Sequence, residues 1–135
     1  MQIVAPIDIE AAVAQELAVV APYGVTVTAY PPPDGMRATT VSVYSLGSFE
    51  QSPVSDAYDI VVYVWASTYS EAYRTAFRMA GAIRALRFNA TASGLTFNTS
   101  EARAPYEDPD PERQTLKRCT VRATVGVRGT GMTLQ

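Results

Sequence analysis

The side chains of this sequence that could do chemistry are carboxylates, guanidinium groups and one thiol. Glu107, Asp108, Asp110 and Glu112 crowd into the stretch YEDPDPE, and Asp56 and Asp59 stand at the start of an apolar run. Arg118, Arg122 and Arg128 recur along the last long apolar stretch, which also holds the single cysteine, Cys119. Carboxylate oxygens suit a hard divalent cation. Positions 107, 108 and 110, however, lack the regular ligand spacing and tight-turn glycine of a calcium loop, so the sequence points to no metal and no cofactor. A nucleophilic thiol needs an activating base or a depressed pKa. The chain has no histidine, which removes the usual imidazole acid/base and zinc ligand. Cys119 falls among apolar neighbours and reads as a buried packing residue. A lone cysteine also excludes an intramolecular disulfide framework.

What remains is charge recognition, and strand geometry arranges it. Successive side chains of a strand face opposite sides, so over residues 115–127 Cys119, Val121, Ala123, Val125 and Val127 share one face. Leu116, Arg118, Thr120, Arg122, Thr124 and Arg128 share the other. One face is core, and the other carries guanidinium groups able to grip carboxylates or phosphates in pairs of hydrogen bonds. Two readings follow: an exposed sheet face with arginines for solubility, or a docking face for a carboxylate-rich partner. The chain itself offers such a partner in Glu107, Asp108 and Asp110, whose mutual repulsion makes contact with a basic surface on another subunit physically reasonable. Arg74 and Arg78 lie on a helix and read first as a solvated face that could contribute.

These groups need a frame. Over residues 7–21, Ile9, Val13, Leu17 and Val20 form one apolar stripe of helical spacing, with Pro6 in the first turn, Asp8 and Glu10 complementing the dipole, and Pro22 and Gly24 as the stop. Residues 25–29 alternate as a short strand, and the run Pro31-Pro32-Pro33-Asp34-Gly35 forces a surface loop. Residues 39–44 predict a second strand. Residues 47–55, mostly small, polar or proline, predict a mobile connection that orders on assembly. Residues 58–66 (YDIVVYVWA) are apolar, β-branched or aromatic almost throughout and predict a central strand covered on both faces. Thr68 and Glu71 fit a capping box opening a helix to about residue 88, with Ala72, Ala76, Met79, Ile83 and Leu86 as its buried stripe. Residues 94–97 predict a short strand, 104–111 a loop, and 115–127 the closing strand. The sum is an α+β domain over residues 1–135, a largely antiparallel sheet with two helices packed on it.

At 135 residues the chain can bury one core. A net charge of −2 and a pI near 5.0 give no overall electrostatic case for nucleic-acid binding. A stacking platform from Tyr63, Trp65 and the arginines is the rival reading, against which Tyr63 and Trp65 fit core or inter-subunit packing better. No apolar run reaches the roughly 18 residues that span a bilayer. The first twenty residues carry Asp8, Glu10 and Glu16 without a basic leader region, so no signal peptide, anchor or membrane partner is expected.

The order of these features resembles a known family. Asp-x-x-Asp (Asp56, Asp59) leads into an apolar strand closing on Trp65-Ala66. A capped helix with Glu71-Ala72 follows, then a proline-rich acidic turn over 105–111, then an arginine-rich strand ending Val127-Arg128-Gly129. This pattern is similar to the small tail terminator, or tail completion, proteins of long-tailed bacteriophages, over nearly the whole chain. The resemblance implies a structural virion protein without enzymatic activity, assembled in the host cytoplasm and located in the tail near the head-tail junction. It implies a ring, commonly a hexamer, that caps the tail tube, stops its growth and offers a surface to the head-side connector. Its partners would be its own copies, the tube protein and the connector, with genome DNA passing through the ring rather than being specifically bound. In that setting Arg118, Arg122 and Arg128 would face a neighbour or the lumen, Glu107, Asp108 and Asp110 would lie on the opposing patch, and the 47–55 segment would reach an axial partner. A head-tail connector or a tail-tube subunit is the alternative in the same virion.

Overall fold

β4 (Ser55–Ala66) occupies the middle of the sheet, where its composition predicts a strand covered on both faces. The structure is a computed structural model and describes residues 2–5, 7–52, 55–128 and 130–133. Among them β4 pairs antiparallel with β3 (Thr40–Ser52) on one side and with β7 (Lys117–Arg128) on the other. β7 is flanked in turn by β5 (Phe97–Ala102) and the two-residue β6 (Tyr106–Glu107), both antiparallel. The far edge is β2 (Thr26–Ala29), which runs parallel to β3. β1 (Gln2–Ala5) and β8 (Thr130–Thr133) pair with each other as a separate antiparallel ribbon. With helices α1 (Ile9–Val20) and α2 (Tyr69–Ala85, continued by a 3-10 turn at Leu86–Phe88), this is the α+β class that the sequence predicts.

Both helices cover one face of the sheet. Ile9, Val13 and Leu17 of α1 and Ala72, Ala76, Met79 and Ile83 of α2 bury against Val41, Val43, Ile60, Val62, Val64, Val121 and Val125. Their starts are fixed by side chains that accept otherwise orphaned N–H groups: Asp8 from Ala11 at 3.2 Å, and Thr68 from Glu71 at 3.2 Å. The capping box at α2 is only half formed. The Glu71 carboxylate accepts from the Thr39 hydroxyl at 2.6 Å and from Ser67 at 3.4 Å, so it ties the helix start to the entry of β3.

Several expectations change. α1 begins at Ile9, and Pro6 lies outside the described residues. Val20 is exposed, while Glu16 on the same helix is buried and accepts the N–H groups of Ala92 at 2.9 Å and Ser93 at 2.6 Å. A turn whose amides need an acceptor makes this buried carboxylate favourable. The segment predicted as a mobile connection is mostly strand, since β3 runs on to Ser52 and β4 starts at Ser55; Pro53 and Val54 lie outside the described residues. Cross-strand pairing with β4, broken by register shifts at Ser45/Gly47 and Glu50/Ser52, holds what local propensity alone would leave as loop. β5 starts at Phe97, where the predicted strand ends. Its polar residues are accommodated because Ser100, almost fully buried, bonds the Arg84 carbonyl and the Arg87 N–H.

Candidate partner interface

β7 sends Cys119, Val121, Ala123, Val125 and Val127 into the core, so its arginines belong to the sheet face opposite the helices. Part of that face is covered by the chain's own acidic loop. Tyr106 and Glu107 pair with Thr120 and Cys119, and the Asp108 N–H donates to the Arg118 carbonyl at 2.9 Å, which swings the loop back over the ends of β4 and β7. Asp110 is thereby buried. Its Oδ2 accepts from Trp65 Nε1 at 2.9 Å and from Arg113 Nη1 at 3.1 Å, and its Oδ1 accepts from the Glu112 N–H at 3.0 Å. Burial pushes the Asp110 carboxyl pKa up, but these three hydrogen bonds, together with the nearby Arg118 charge, outweigh it and leave the pKa below its ordinary value.

Arg118 completes the clasp. Its Nε donates to the Asp108 carbonyl at 2.7 Å, Nη2 lies 3.2 Å from Asp108 Oδ2, and Nη1 lies 3.7 Å from Asp110 Oδ2. The guanidinium stacks over the ring of half-buried Tyr63 at 4.8 Å, beside buried Trp65. Thr120 donates to Asp108 Oδ2 at 2.7 Å. Arg118, Asp108 and Asp110 are therefore brought together within one chain, and Tyr63 and Trp65 serve as the floor beneath them. The thiol of Cys119, on the opposite face of β7, is pushed up to about 11 by burial and, secondarily, by Glu107. It is inert at neutral pH.

The remaining candidates stay open to solvent. Arg122 lines a groove of about 450 Å³ on the uncovered part of the same face, with Leu46, Asp59, Glu101, Arg103 and Thr124. Thr124 donates to Asp59 Oδ1 at 2.8 Å. Two carboxylates and two guanidinium groups on one concave surface make a mixed-charge patch that can steer and orient a polar protein surface. Glu107 and Arg128 are exposed. Arg74 and Arg78 are exposed on α2, on the helix side of the sheet, and Arg78 Nη1 donates to the Val20 carbonyl at 3.3 Å. That bond caps the end of α1, whose last turn has no basic residue of its own. The predicted residues thus divide between a buried clasp, an open groove and the helix side.

Leu46, Glu101 and Arg103 join the groove unforeseen from the sequence. The first lies between the predicted strand over 39–44 and the predicted connection over 47–55, and the other two are aligned with Arg122 and Thr124 only by the β5–β7 register, in which Glu101 faces Thr124 and the Arg103 N–H reaches the Arg122 carbonyl at 2.9 Å.

No protein-family model and no curated protein matches the sequence. The fold is similar to that of a chain in the solved virion of a native gene transfer agent (GTA) particle, with a TM-score of 0.51 and 21% identity over 89% of this chain and 94% of that one. At that identity the likeness is one of fold, and it extends over nearly the whole of both chains.

Proposed function

We propose that this chain is a structural virion protein, without enzymatic activity, that closes into a ring at the end of a phage-type tail tube. There it stops tube growth and presents the joining surface for the head-side connector. The observation that carries this reading is the fold likeness, nearly end to end, to a chain that is part of a virion particle. The sequence resemblance to tail terminators supplies the finer role and the ring of six. The exposed mixed-charge groove around Arg122 supports it independently, since a ring requires a heterologous interface in which one patch meets a different patch of the neighbour.

The test is the mass of the purified protein by light scattering, with and without assembled tail tubes, followed by negative-stain imaging of the tube ends. A ring, alone or at tube tips, that blocks further extension is the expected result. Open-ended polymerisation would assign the chain to the tube itself, and attachment to the head-side portal without any effect on tubes would make it a connector. A stable monomer indifferent to tubes would overturn the virion reading.

A further inference from the structure

Two pieces of backbone in this fold have unsatisfied pairing capacity. β2 pairs with β3 only through Val43. The Ser45 N–H is then capped by Glu10 Oε2 at 2.7 Å, and over residues 46–51 no strand among the described residues pairs with the outer side of β3. This edge also shows its apolar side chains, with Leu46 45% and Phe49 55% exposed. The opposite edge of the sheet is treated differently: Arg84 Nε and Nη2 both donate to the Ala102 carbonyl of β5, at 2.9 and 2.6 Å. One edge has its terminal carbonyl capped by a side chain, and over residues 46–51 of the other no such cap is seen among the described residues. An open apolar edge is a template for another strand.

The second piece is the β1–β8 ribbon. It consists of two strands of four residues with no third strand among the described residues, and an isolated pair of that size is marginal in water. A third strand would stabilise it. β1 (Gln-Ile-Val-Ala) is the better edge to receive one, because β8 contains Gly131, which weakens a strand. Ribbon and open edge also lie toward the same end of the molecule. β8 follows β7, whose Arg128 faces Ser55 at the tip of the β3–β4 hairpin, and the Ile7 N–H just after β1 donates to the Tyr58 hydroxyl at 3.2 Å.

We propose that copies of this chain join head to tail by strand addition, β1 of one subunit pairing with the open edge of β3, residues 46–51, of the next. The inference rests on the ring reading and names its contact: a continuous sheet passes from one subunit to its neighbour around the rim, and each copy supplies the strand that the other lacks. The contact is heterologous, as ring closure requires.

Disulfide cross-linking tests it, because facing residues of paired strands lie at Cα separations that a disulfide can span. Ile3→Cys and Val4→Cys are each combined in turn with Leu46→Cys, Ser48→Cys and Phe49→Cys, covering alternative registers. The natural Cys119 is buried and leaves the background silent. At least one double variant is expected to give, under mild oxidation at high protein concentration, a ladder of linked species ending in a closed ring, with no ladder from any single variant. A dimer formed by Leu46→Cys or Phe49→Cys alone would mean that the β3 edges pair with each other, and would overturn the proposal. So would the absence of cross-links from all six pairs. If light scattering of the unmodified protein nonetheless shows a ring, the ring reading survives and only this contact falls; a protein that stays monomeric, with no cross-links, sinks both.

Discussion

Asp110 accepts hydrogen bonds from Trp65, Arg113 and the Glu112 N–H while almost wholly removed from water. Its pKa in the folded chain lies below that of the unfolded chain, so between the two values the unfolded state binds more protons. The stability it contributes is then fully present above the ordinary carboxylate range and is lost as pH falls through the lowered folded pKa. Asp110→Asn should lower unfolding free energy at neutral pH by about 1–3 kcal/mol, as expected for uncoupling a buried charged acceptor from its donors. In urea titrations repeated at decreasing pH the gap between variant and parent should narrow; a gap that stays constant to acid pH would mean that the carboxylate charge contributes nothing. Little of this was legible in the sequence. The acidic run announces charge, but its chief partner, Trp65, lies 45 residues away, and a stretch rich in Asp and Pro looks the same whether it is solvated or folded onto an indole.

Among the elements, α1 is anchored in two ways: by its apolar stripe, and by Glu16 reaching the amides of the turn at Ala92 and Ser93. Glu16→Ala leaves two N–H groups without their acceptor and should cost about 1–3 kcal/mol. Thermal melts followed by circular dichroism would measure it, and Glu16→Gln, which keeps one acceptor oxygen, should lose less. Elements whose burial is periodic could be read from sequence: the alternation of β7 and the stripe Ala72, Ala76, Met79, Ile83 of α2 both report a single covered face. The second half of β3 and the polar β5 could not, because their conformation comes from neighbours. Gly47, Ser48 and Ser52 are turn formers held in a strand by β4, and the β1–β8 pairing joins residues from the two ends of the sequence.

For the whole molecule, the basic strand divides into one arginine committed to the chain's own fold and two that remain available. Charge reversal separates them. Arg118→Glu places a carboxylate against Asp108 and Asp110 and should destabilise the monomer itself. Arg122→Glu, on the exposed groove, should change stability by less than about 0.5 kcal/mol while weakening ring formation, with the loss most evident at low salt. Denaturation midpoints and light scattering of the two variants, side by side, would check the division. A ring unaffected by Arg122→Glu would make the groove plain surface.

The spacing of arginines along β7 has one more effect, which acts before the sheet exists. β4 obtains its first partner, β3, from the adjacent sequence, but its second, β7, arrives only after α2 and β5 have intervened. Before it docks between β4 and β5, β7 is a β-prone strand exposed on a partly folded chain, the kind of segment that stacks with its own copies into cross-β aggregates. Arg118, Arg122 and Arg128 interrupt it at intervals, so identical strands aligned in register would bring like charges together and repel. Arg118 and Arg122, which clasp a loop and line a groove in the finished protein, thus act with Arg128 as gatekeepers while it folds.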